Sequence, residues 1–127
     1  VNIHGGSYYN TQKLNTQIDL IYARENGKIN IYGGTLESGK YGTPNNDTDG
    51  RYWVLNLKNT DKNTASIQVS GGTFINFNPA NPNMDDNESY LVTGYEVTRD
   101  GSVYTAAHKV NDGRKEYIVG PTSQENR

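Results

Sequence analysis

The chain has 127 residues, enough for one ordinary domain, and no cysteine, which excludes disulfides and thiolate metal sites. Its net charge is −2 with both signs scattered, which excludes a basic stripe for nucleic acid and a polybasic membrane patch. No apolar run approaches the ~18–20 residues of a membrane-crossing helix, and the start lacks a charged-then-apolar leader, so no membrane insertion is expected.

Asparagine occurs 17 times, glycine 14 and tyrosine 10, while leucine, isoleucine, valine and phenylalanine total 24. That apolar share lies near the level of disordered chains (roughly 20 %). The low net charge and the short alternating runs of tyrosine and β-branched residues point instead to a thin core served by many turns. No stretch places apolar residues at i, i+3, i+4 and i+7, so almost no helix is expected.

The first predicted element, VNIHGGSYYN (1–10), is a phrase that returns as INIYGGTLES (29–38) and IQVSGGTFIN (67–76). Side chains alternate faces along a strand, so Val1 and Ile3, Ile29 and Ile31, and Ile67 and Val69 point to one side. Asn2 and His4, Asn30 and Tyr32, and Gln68 and Ser70 point to the other. The Gly-Gly pairs (5–6, 33–34, 71–72) then make a bend where a Cβ would be costly, followed by equivalent large residues Tyr8, Leu36 and Phe74. Asn10, Ser38 and Asn76 follow, short polar side chains suited to a ladder of hydrogen bonds at a corner. Because Val1 opens inside a copy of the phrase, the chain is expected to be an excised piece of a longer protein.

A second strand precedes each later phrase. IDLIYAR (18–24) aligns with YWVLNLK (52–58), making Ile21 and Ala23 equivalent to Leu55 and Leu57. The Gly-Gly spacing is 28 residues and then 38, and equating Asp19 with Trp53 divides the extra ten into six before that strand and four after it. Insertions confined to turns are what stacked copies tolerate.

The repeated phrase, with GGTFINFNPA and then TGYEVTRDGSVYTA (93–106), resembles right-handed parallel β-helix domains of phage tailspikes, tail fibres and gut-bacterial surface proteins. The resemblance covers roughly residues 1–106 and implies an all-β fold: a right-handed parallel β-helix of about two to three rungs with a C-terminal antiparallel cap. It also implies a homotrimer at an extracellular or virion surface. Residues 1–78 are expected to form the rungs, 79–120 an excursion loop and the cap, and 121–127 a frayed tail. Within the cap, 90–98 and 102–110 read as a β-hairpin about the turn RDG, and 114–120 as a third strand. Such a meander would cover the unpaired backbone of the last rung.

Candidate sites fall mostly on the insertions. NNDTDGRYWVLN (45–56) matches a calcium loop at Asn45, Asp47 and Asp49, but its twelfth residue is Asn56 rather than a bidentate glutamate, so a plain turn without a cofactor is the reading adopted. Glycoside cleavage would need two carboxyl groups about 5–10 Å apart. Asp47, Asp49, Asp85, Asp86 and Glu88 are the candidates, though no spacing singles out a pair. Arg24, Arg51 and Lys58 form no lyase motif, and His4 and His108 lack a nucleophile signature.

Aromatic residues give the strongest pointer to function. A flat ring with a polar tip suits a sugar face, and Tyr32, Tyr41, Tyr52 and Trp53 are the expected glycan-binding residues. The function expected is a non-enzymatic fibre module that binds cell-surface polysaccharide through repeated shallow sites. A polysaccharide hydrolase or lyase, or a bacterial adhesin or stalk, are the alternatives.

Overall fold

The computed structural model describes residues 1–11, 18–39, 52–82 and 88–110, with backbone alone at Ile18 and Tyr52. Ten strands carry the described chain: β1 (Asn2–Ile3), β2 (Ser7–Tyr9), β3 (Ile18–Ala23), β4 (Lys28–Ile31), β5 (Thr35–Glu37), β6 (Tyr52–Leu57), β7 (Ser66–Val69), β8 (Thr73–Ile75), β9 (Tyr95–Asp100) and β10 (Val103–His108). A single 3-10 turn at Asn59–Asp61 is the only helical element among the described residues. The chain is all-β.

The described strands form three sheets, in the orders β1-β4-β7, β3-β6 and β2-β5-β8-β10-β9. Equivalent residues of the repeated phrase lie side by side in parallel register: Ile3 beside Ile31, Ile31 beside Val69, Tyr8 beside Leu36, and Leu36 beside Phe74. The intervening pair obeys the offset read from the sequence, with Asp19 beside Trp53, Ile21 beside Leu55 and Ala23 beside Leu57. Both insertions therefore leave the strand registers untouched.

The turns place glycine where a side chain would be strained or would clash. Gly6, Gly34 and Gly72 share φ values of 97°, 97° and 98°, a left-handed conformation that glycine adopts without a Cβ penalty. Their partners Gly33 and Gly71 are needed for a different reason: a Cβ there would sit 2.3 Å from the His4 carbonyl oxygen and 2.1 Å from that of Tyr32. The backbone of one copy passes where the next copy's side chain would begin.

Another left-handed residue, Glu25 (φ 58°), has no such excuse and is held from outside. Its N–H donates to Asp61 Oδ2 at 2.6 Å, its carbonyl accepts from the Thr64 hydroxyl, and Lys28 Nζ reaches the Thr64 carbonyl at 2.8 Å. At the opposite corner Asn10 Nδ2 donates to Ser38 Oγ at 3.3 Å, and Asn10 Oδ1 accepts from Gly39 N, so the first step of the expected polar ladder is present.

Ile31, Leu36, Val54, Leu55, Val69, Phe74 and Phe77 form the centre of the core, all essentially inaccessible to solvent. Val54 and Leu55 are adjacent and point to opposite faces, so β6 is covered on both sides.

The end of the fold differs from the expected hairpin in one respect. The strands begin at Tyr95 rather than near Tyr90, and residues 90–92 instead run beside β7 through a parallel bridge between Val69 and Leu91. The reason is backbone accounting: the outer N–H and C=O of Val69 need partners. They find them in the Tyr90 carbonyl (2.8 Å) and the Val92 N–H (2.9 Å). Gly94, with φ 94°, then turns the chain into β9.

β9 and β10 pair antiparallel from Tyr95–His108 to Asp100–Val103, with Gly101 (φ 62°) at the first central position of the two-residue turn. β10 also pairs antiparallel with β8, so the hairpin covers the edge that β8 would otherwise expose. Residues 114–120 and 121–127, expected as a third strand and a tail, lie outside the described residues.

Candidate functional site

Two columns of side chains line the outward face of the β1-β4-β7 sheet. In one, Asn30 Nδ2 donates to Asn2 Oδ1 at 3.0 Å, and Gln68 follows in register. Two residues further along each strand, the His4 and Tyr32 rings stack with centroids 4.9 Å apart and planes inclined by 14°. Ser70 stands next in that column, too short to cover the second face of Tyr32, a residue 48 % exposed. The result is an exposed aromatic plane beside a row of amides. Chemically it can stack against an apolar ring face while the amides donate to and accept from hydroxyls.

A second feature lies where the chain returns after the excursion. A groove of about 430 Å³ is lined by Leu57, Lys62, Ser66, Gln68, Glu88 and Tyr90, among others. Lys62 Nζ contacts Glu88 Oε1 at 2.9 Å across it. The Tyr90 hydroxyl accepts a hydrogen bond from the Leu57 N–H at 3.1 Å, which ties the returning segment to β6.

Burial pushes the Tyr90 hydroxyl above its ordinary pKa of 10.0, while the Leu57 N–H pulls the other way and Asp19 and Glu88 push with burial. The folded chain therefore keeps this proton to a higher pH than the unfolded chain. Its contribution to stability is whole below pH 10.0 and is lost as the pH rises toward the folded value. Denaturant midpoints measured across that range are expected to fall for the native chain and to fall less steeply for Tyr90→Phe. Equal slopes in the two would assign the loss to other groups.

The sequence-predicted residues are placed unevenly. Tyr32 stands on the outward face as alternation required. Trp53 is only partly exposed and rests on the core, with its Nε1 closed to solvent and without a hydrogen-bond partner among the described residues. For Tyr52 the backbone alone is described, as a β6 residue beside Ile18. Asn45, Asp47, Asp49, Asp85, Asp86 and Tyr41 lie outside the described residues, and so do the calcium-loop match and all but one of the candidate carboxylates. Glu88, the described member, is engaged by Lys62.

Two residues of these sites went unassigned from sequence. Alternation and the 28-residue offset place His4 outward as the counterpart of Tyr32, but nothing in the sequence marks it as a stacking partner. Tyr90 carried no periodic signal, since it lies beyond the last copy of the phrase.

No family model, curated protein or solved structure matches this chain.

Proposed function

We propose that this chain is a right-handed parallel β-helical module that binds cell-surface glycan without chemistry, as part of a trimeric fibre or tailspike-like protein at an extracellular or virion surface. The helical reading is supported by the in-register parallel pairing of equivalent residues at successive copies. The binding reading is carried by one observation, the stacked and half-exposed His4–Tyr32 pair beside the Asn2–Asn30 amides. If a sugar face stacks on a ring about as well as a second aromatic ring does, one site supplies about 1 kcal/mol, so a single site is weak and three related sites on a trimer add avidity.

Screening a panel of bacterial surface polysaccharides identifies the ligand. Tyr32→Ala is then expected to weaken binding about fivefold per site without lowering the denaturation midpoint. Undiminished binding in Tyr32→Ala, or no polysaccharide bound at all, would remove the glycan reading. Light scattering tests the oligomer separately: three chains per particle are expected.

A further inference from the structure

The three Gly-Gly pairs are alike in sequence but not in circumstance. At Gly33 and Gly71 the space a Cβ would need is filled by a carbonyl oxygen of the preceding copy, from His4 and Tyr32 respectively. In both cases that oxygen belongs to the residue just before the neighbour's own Gly-Gly. At Gly5 a Cβ would meet nothing within 4 Å among the described residues, and Gly5 is not among the left-handed glycines. Neither reason for glycine operates there.

Two other features of the same edge point the same way. Tyr8 occupies the position of Leu36 and Phe74, which are fully buried, yet it is 41 % exposed and its hydroxyl turns back to the Gly5 carbonyl at 2.6 Å. At β1 the carbonyls of Val1, just before the strand, and Ile3 accept from the N–H groups of Asn30 in β4 and Tyr32 just after it. Alternation along a parallel ladder therefore turns the N–H and C=O of Asn2 toward the open edge.

We infer that the open edge of β1 and β2 is a docking surface for a further copy of the same repeat phrase, paired in parallel with its pre-glycine carbonyl over Gly5. The surface continues the β1-β4 and β4-β7 interfaces by one step, with the same register and the same glycine requirement. A second 127-residue chain meeting this edge face to face would bring antiparallel strands, for which the Gly5 position has no use.

The test extends the whole chain with a second copy of residues 1–28 placed before Val1, so that the added strands are tethered beside the edge at high effective concentration. The thermal midpoint is expected to rise by more than about 5 °C. Alanine at the original Gly5, now between the two copies, is expected to abolish that rise. In the unextended chain Gly5→Ala is expected to leave the midpoint unchanged. The inference is overturned if the extended chain gains nothing, if the gain survives Gly5→Ala, or if Gly5→Ala already destabilises the unextended chain.

Discussion

Gly71→Ala is expected to unfold the chain or lower its stability by about 3 kcal/mol or more. The new methyl group would lie 2.1 Å from the Tyr32 carbonyl oxygen and 2.8 Å from its carbonyl carbon. Both are backbone atoms, and β4 is fixed by its ladders to β1 and β7, so neither can yield without breaking a strand pairing. Folded domains carry only about 5–15 kcal/mol in total, so this one substitution consumes a large part of it. Far-UV circular dichroism with the fluorescence of the single tryptophan, Trp53, follows the loss. A folded Gly71→Ala variant with a native midpoint would mean that the copies are not packed backbone to backbone at this turn.

The second large effect is expected at Phe74→Ala, at about 3–5 kcal/mol. Phe74 is fully buried and stands between Leu36 of the parallel ladder and Tyr104 of the antiparallel hairpin. Its ring also meets Phe77 at 6.4 Å between centroids. Truncation therefore opens a cavity at the junction of two kinds of pairing, and the hairpin should loosen before the rest. Hydrogen exchange separates the two consequences: faster exchange is expected in β10 than in β4. Uniform acceleration would show that the junction has no special role.

Much of the fold was legible because the repeat turns a long-range problem into a comparison of short phrases. Ile21 beside Leu55 and Asp19 beside Trp53 could be assigned by aligning one copy with the next, before any contact was seen. Alternation alone also placed Tyr32 outward. The approach of residues 90–92 to Val69 could not be read this way. It is set by two unpaired backbone groups on β7, which have no side-chain signature. The His4–Tyr32 stack was half legible: the register was in the repeat, but ring-on-ring contact depends on rotamers that no spacing encodes. Trp53 shows the opposite failure, since an aromatic at a strand position reads the same whether its indole N–H meets water or is sealed against the core.

The unequal spacing of the copies has a consequence in chain entropy. The cost of closing a loop grows only with the logarithm of its length, so lengthening the interval from 28 to 38 residues adds about 0.3 kcal/mol. One residue inserted within β4 or β7 would instead reverse the facing of the side chains that follow it in that strand. Length is thus nearly free to drift in the turns and almost forbidden to drift in the strands. New surface can be grown between copies at little thermodynamic expense while the scaffold beneath keeps its register.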